Sequence, residues 1–226
     1  GPSLNGIEVN GQPFLGYKDV VINANGGADT INVSNLFIGG NLTINAGDGA
    51  DLVSLLGLNV EKLTVRTGLG GDNVQLQAGS YVRDVSLFDL GAGSNGLNII
   101  NSRLHQTSNI FGGVDADAVL IRNGSAGKTM GVRLGDGANT FTMSRHFGDV
   151  LSYSGGAGAD IFTMDNTLLQ NDLAVTTGNG ADVVAITSSN VEDLRVNTGL
   201  GADAVTFNVS RARLSAYITT GADADT

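Results

Sequence analysis

One acidic or amide side chain recurs along the sequence at the same place in a glycine-rich turn. The turn has the form Gly-x-Gly-x-Asp/Asn, as in Gly47-Asp-Gly-Ala-Asp51 and Gly178-Asn-Gly-Ala-Asp182. Its last residue stands at positions 29, 51, 72, 95, 117, 139, 160, 182, 203 and 225, so successive copies are 21 to 23 residues apart. Ten copies in such close register predict a fold that brings these side chains together.

Stacked carboxylates are candidate cation ligands, because Ca²⁺ prefers carboxylate and carbonyl oxygens. Neighbouring carboxylates at a strand spacing of ~4.8 Å would repel by roughly 3–4 kcal/mol at an effective dielectric constant near 20. Bound cations, raised pKa values or hydrogen bonds from turn amides must offset that repulsion. The candidate metal ligands are Asp29, Asp51, Asp72, Asp117, Asp160, Asp182, Asp203 and Asp225.

A purely structural role is the alternative for these side chains. Asp and Asn commonly cap their own turn by accepting a backbone N–H. Asn95 and Asn139 would do this as well as Asp, whereas they would interrupt a row of anionic ligands. Capping and calcium binding both remain open at this point.

The turn and the strand that follows it, for example Gly178-Asn-Gly-Ala-Asp182-Val-Val184, resemble the Gly-x-Gly-x-Asp-x-aliphatic core of hemolysin-type (RTX) calcium-binding repeats. The resemblance covers about seven residues of each repeat. It implies a bacterial secreted or surface protein whose turns bind Ca²⁺ through Asp and backbone carbonyl groups. That family repeats its motif every nine residues, whereas here it occurs once per coil, so at most one row of calcium ions is implied.

Two other groups of residues are candidates for chemistry. Arg145-His146 lies near Asp149 in the sequence, and Asp165 follows about one repeat later; we expect a solvated corner here. Arg103 and His105 lie in the least regular stretch, where they would mark a binding loop. With two His, no Trp and 5% aromatic residues, the chain is predicted not to be an enzyme.

Apolar residues alternate directly after each turn, which is typical of a half-buried strand. They stand two and four residues after the Asp or Asn, at Ile31/Val33, Val53/Leu55, Val74/Leu76, Leu97/Ile99, Val119/Ile121, Phe141/Met143, Phe162/Met164, Val184/Ile186 and Val205/Phe207. A second alternating pair precedes most turns, and some repeats add a third apolar cluster, such as Leu36/Ile38. No repeat has room for a helix of ten residues.

A repeat of about 22 residues cannot bury its own apolar face and must stack on its neighbours. Because parallel crossovers are normally right-handed, we predict an all-β, right-handed parallel β-helix of about ten coils. A β-sandwich is the alternative, although it has no reason to keep a 22-residue register. In residues 90–128 the segment 104–110 breaks the pattern, and we expect it to loop out.

Composition narrows the classes of partner. The net charge of −10 argues against nucleic acid and anionic membrane surfaces, and no apolar run is long enough to insert into a membrane. Without Cys there is no disulfide framework. Residues 1–3 are typical of the remnant of a cleaved expression tag, and residues 4–226 are predicted to form one solenoid domain of a longer repetitive protein.

These features predict a non-enzymatic rod, stalk or adhesive segment of a bacterial cell-surface or secreted protein, with Ca²⁺ as its only candidate cofactor. The expected partners are other domains of the same longer chain and glycans of the cell surface or matrix. The alternative is a carbohydrate-active β-helix domain, acting as a polysaccharide lyase or hydrolase or as a glycan binder, with its site in residues 101–112.

Overall fold

The chain winds into a parallel β-solenoid. A computed structural model describes residues 7–10, 18–208 and 210–226, and the regular secondary structure in these ranges is β-strand. Strands pair in parallel with the equivalent strands one coil before and after, as in the register Ile31↔Val53↔Val74. The parallel β-helix predicted from the repeat is thereby confirmed. The suggested tag remnant, residues 1–3, lies outside the described residues.

Each coil has three faces, which lie against a common core. The first face is a ten-stranded sheet whose strands follow the glycine turns. Its strands are β1 (Ile7–Asn10), β3 (Thr30–Ser34), β5 (Leu52–Leu56), β8 (Asn73–Gln77), β11 (Gly96–Ile100), β14 (Ala118–Arg122), β17 (Thr140–Ser144), β20 (Ile161–Asp165), β23 (Val183–Thr187) and β25 (Ala204–Asn208).

The second face consists of two-residue strands, which correspond to the third apolar cluster seen in some repeats. They are β6 (Asn59–Val60), β9 (Tyr81–Val82), β12 (Arg103–Leu104), β15 (Ser125–Ala126), β18 (Phe147–Gly148) and β21 (Leu168–Leu169). The strands are short because each has only one inward position, such as Val82 or Leu104, between two bends of the chain.

The third face leads back to the next glycine turn. Its strands are β2 (Val20–Asn23), β4 (Asn41–Asp48), β7 (Lys62–Leu69), β10 (Ser86–Asp89), β13 (Ser108–Phe111), β16 (Thr129–Arg133), β19 (Val150–Ala157), β22 (Asp172–Asn179), β24 (Asn190–Asn197) and β26 (Arg211–Thr219). Strand β24 pairs with both β21 and β22, which joins the second and third faces into one sheet.

Apolar side chains from all three faces fill the inside of the coils. Predicted inward positions from Ile31 to Ile186 are buried, whereas Phe207 is 37% exposed because β25 is the last strand of its sheet. An aromatic cluster lies in this core, where the rings of Phe141 and Phe162 stack at 5.3 Å and Tyr153 packs against both. The described residues include no helix long and apolar enough to span a membrane.

The expected loop at residues 104–110 is wrong. Strand β12 and strand β13 remain paired with the coils on both sides of them, and Ile110 stands opposite Phe88. The hydroxyl groups of Ser86 and Ser108 meet in the core at 2.8 Å. Each hydroxyl thereby gives the other a buried hydrogen-bond partner, so polar residues occupy inward positions without leaving the coil.

Candidate functional site

The recurring Asp and Asn residues form a continuous hydrogen-bonded ladder along the solenoid, here called the ladder. In each step, one side-chain oxygen accepts the backbone N–H of the ladder residue one coil earlier, as when Asp29 N–H donates to Asp51 Oδ1 at 2.7 Å. The nine steps join residues 29, 51, 72, 95, 117, 139, 160, 182, 203 and 225 at 2.7–3.0 Å. Apart from Asp225, these residues are at most 3% exposed.

The ladder differs from a cap confined to a single turn. Each side chain from Asp51 onward accepts the backbone N–H of the preceding ladder residue, so it joins two coils. Asp117 also caps its own turn, because its Oδ2 accepts the N–H of Gly113 at 3.1 Å, and the two Asn side chains also bond within their own turns. Parallel stacking explains the difference, since equivalent turns lie directly over one another and the next N–H is within reach.

Asn and Asp use their second side-chain atom differently. The Asn139 amide donates to the carbonyl oxygens of Gly135 and Gly137 in its own turn, at 2.9 and 3.1 Å. The corresponding amide of Asn95 donates to the carbonyl oxygen of Gly93. The amide groups of both Asn residues therefore have hydrogen-bond acceptors within their own turn. They need neither a cation nor a proton to compensate a buried charge.

The residue five positions earlier differs between the two kinds of coil. It is a buried Leu before both Asn residues, at Leu90 and Leu134. Before the Asp residues it is Ala24, Ala46, Thr67, Gly112, Gly155, Thr177, Thr198 or Thr220.

In two of the Asp coils this earlier residue is a glycine that the carboxylate packs against. A Cβ atom on Gly155 would lie 2.0 Å from Asp160 Oδ2, and one on Gly112 would lie 2.1 Å from Asp117 Oδ2. Glycine at these two positions therefore leaves room for the carboxylate.

Several ladder carboxylates have one oxygen without a hydrogen-bond donor. Among the described residues, Oδ2 has no partner and no solvent contact in Asp51, Asp72, Asp160, Asp182 and Asp203. Burial raises the pKa values of Asp51, Asp72 and Asp117, and raises the pKa of Asp160 to about 6. The backbone N–H from the preceding coil opposes the rise, and the charge of Asp182 adds to it at Asp160.

A cation or a proton would each relieve these buried oxygens. Ca²⁺ takes six to eight oxygen ligands, whereas Oδ1 of each ladder residue from Asp51 onward already receives a backbone N–H. Within the described ranges, no group of three or more His, Asp or Glu side chains is placed to share a metal ion. Calcium binding at the eight aspartates stays a prediction of the sequence.

The Arg145–His146 group does not form the solvated corner that we expected. Arg145 is exposed, but His146 is only 5% exposed and points inward, beside Gly124 and Gly148. Neither of its ring nitrogens has a partner among the described residues, and burial lowers its pKa to about 4. Asp149 lies apart from it and accepts a hydrogen bond from Asn171. The group therefore has no acid–base arrangement.

The corner between the first and second faces, here called the second corner, has residues of positive φ in eight coils. These residues are Asn35, Gly57, Ala78 with Gly79, Asn101, Asn123, Arg145, Asn166 and Ser188. Sequence reasoning missed this corner, although a small or amide residue stands six positions after most ladder residues. Asn and Gly tolerate this backbone region better than other residues.

No protein-family model, curated protein or solved structure matches the chain.

Proposed function

We propose that the chain is a non-enzymatic structural segment, a rod or stalk of a bacterial surface or secreted protein. The observation that carries the proposal is the uninterrupted ladder, which links ten successive turns through nine hydrogen bonds, eight of them buried. At a strand spacing of ~4.8 Å, the nine intervals span about 43 Å. Such a stack extends in one direction by adding equivalent units, as a spacer requires.

Deleting one whole repeat tests the rod. Removal of residues 161–182 joins Asp160 to Val183 and keeps the ladder in register. We expect a folded protein one strand spacing shorter, with circular dichroism like that of the parent. A matched deletion of eleven residues, 161–171, breaks the register and should abolish cooperative unfolding. Equal damage from both deletions would contradict a modular rod.

Catalysis is the alternative that the sequence left open. We expect no reaction when the protein is incubated with a panel of uronate polymers and the absorbance of unsaturated products is followed. Clear turnover of any polymer would overturn the structural proposal and favour a polysaccharide lyase.

Calcium is the proposed stabilising ion, through the unpartnered Oδ2 atoms of the ladder. A ligand that binds only the folded state raises the melting temperature. We expect a higher melting temperature in millimolar Ca²⁺ than in EDTA, with Mg²⁺ as the control. Coincident melting curves would reject calcium while leaving the rod intact.

A further inference from the structure

A polar groove lies at the second corner, where the solenoid departs most from its own repeat. It has a volume of about 480 Å³, and its lining includes Gly79, Tyr81, Asn101, Arg103, Asn123 and Gly124. The coil between Asp72 and Asn95 has 23 residues, the longest spacing in the chain. Gly79 in that coil faces open space, since a Cβ built on it meets no atom within 4 Å.

The side chains at this groove are free to bind a ligand. Arg103, Asn101 and Asn123 are exposed, and none of their side chains has a hydrogen bond or ion pair with any residue that the structure describes. Arg83, two residues after Tyr81 in the preceding coil, is different. Its guanidinium donates hydrogen bonds to Glu61 and to the carbonyl oxygen of Ile38. The groove thus presents an unpaired guanidinium between two amide side chains.

Charge in this part of the chain differs from the rest. Residues 96–148 contain five Lys or Arg and three Asp or Glu, whereas the other residues contain seven and nineteen. The three acids, Asp115, Asp117 and Asp136, lie at the glycine corner, at the opposite end of the first-face strands. Arg103 is also the one charged residue among those that line the groove, so the groove is cationic on a protein whose net charge is −10.

Four outward side chains in consecutive coils run along the solenoid axis beside the groove. Tyr81 pairs with Arg103, Arg103 with Ser125, and Ser125 with Phe147, as β-strand partners. Three strand spacings separate the two aromatic residues, about 14 Å. The Tyr81 ring is braced edge-on by His105 at 6.1 Å, and Phe147 is 46% exposed.

We propose that this groove binds an acidic oligosaccharide, with a uronate carboxylate on Arg103, sugar hydroxyl groups on Asn101 and Asn123, and a sugar ring against Tyr81. A guanidinium matches the planar geometry of a carboxylate. Amide side chains both donate and accept, as hydroxyl groups require. The aromatic residues at both ends favour a ligand with apolar ring faces rather than a simple polyanion.

The test is the affinity of the full chain for trigalacturonate, measured by isothermal titration calorimetry. We expect saturable binding that weakens with added salt, and no binding of the neutral trisaccharide maltotriose. Arg103→Gln should weaken binding roughly tenfold or more, the usual effect of losing a charge-assisted hydrogen bond.

Arg211 provides a matched control, because it occupies the same coil position as Arg103 at the far end of the strand row. Arg211→Gln should leave the affinity unchanged. Tyr81→Ala should also weaken binding, and both groove variants should keep the melting temperature of the parent because the altered side chains are outside the core.

Three results would overturn the proposal. They are the absence of binding, equal losses for Arg103→Gln and Arg211→Gln, or equally tight binding of polyglutamate, which would show attraction of charge alone. Neither binding without turnover nor a failure to bind contradicts the proposed rod. Among the experiments with uronate ligands, only turnover of a polymer would contradict the structural proposal.

Discussion

The glycine corner and the second corner solve the same problem, a sharp bend in every coil, in different ways. At the glycine corner the bend is uniform, and a single kind of side chain, Asp or Asn, joins each coil to its neighbour. At the second corner the position after the bend, which is buried except at Gly124, holds Leu36, Leu58, Ser80, Ser102, Gly124, His146, Thr167 and Ser189 in turn. Main-chain packing between coils thus determines the residues at the glycine corner, whereas the residues at the second corner vary from coil to coil.

Backbone contact between coils explains the uniformity of the glycine corner. A Cβ on Gly178 would lie 1.9 Å from the carbonyl oxygen of Gly156, so the turns stack too closely for any side chain. No such contact restricts Gly79 near the second corner. A corner that tolerates different side chains is where a repetitive protein can acquire a binding site, and the proposed groove lies there.

The largest expected effect comes from filling that contact. Gly178→Ala should lower the free energy of unfolding by about 4 kcal/mol, since the backbone of one coil must move. Gly79→Ala is the matched control, because both glycines have positive φ, +110° and +75°. The control should lose only about 1–2 kcal/mol from backbone strain. Urea denaturation measures both, and similar losses would contradict the comparison.

The next effect concerns the ladder. Asp160→Ala leaves the buried N–H of Asn139 without its acceptor and should cost about 1–3 kcal/mol. Asp160→Asn keeps that acceptor and removes a buried carboxylate, so at pH 8 in EDTA it should be at least as stable as the parent. An Asn variant as unstable in EDTA as the Ala variant would contradict this prediction, whereas a loss of stability seen only in Ca²⁺ is what a bound cation requires.

The smallest effect is a difference in the response to acid. The raised pKa of Asp160, about 6 against 3.8, means that the folded state holds its proton more tightly. The glycine corner should therefore gain stability as the pH falls from 7 towards 4. The lowered pKa of His146, about 4 against 6.5, has the opposite sign, because the unfolded state takes up that proton first. The second corner should lose stability over the same range.

His146→Leu separates these opposing contributions. Leu58 occupies the equivalent buried position four coils earlier in the stack, so a leucine suits this position. At pH 8 the variant should be within about 1.5 kcal/mol of the parent. At pH 5 its advantage should grow by about 1–2 kcal/mol, leaving only the acid stabilisation of the ladder. Parallel stability curves from pH 8 to pH 5 would argue that His146 is not buried as a neutral ring.

The repeat period and the alternation after each turn were enough to predict the solenoid, its strands on the first face and their inward residues from Ile31 to Ile186. Both features can be read directly from the order of residues in the chain. A constant repeat interval, combined with apolar residues at every second position, buries the apolar side chains when equivalent strands stack in register. The candidate site was predicted only in part. The ladder aspartates were found by spacing, but their hydrogen-bond partners belong to another coil and do not show in any single turn.

What the tertiary structure alone decided are the contacts between coils. It placed Ser86 against Ser108, which kept residues 104–110 in the coil, and it turned His146 inward. It also brought Tyr81, Arg103 and Asn123, from three different coils, to one groove. Residues about 22 positions apart become neighbours at one strand spacing, and the chemistry of that contact depends on both side chains together, which no local pattern contains.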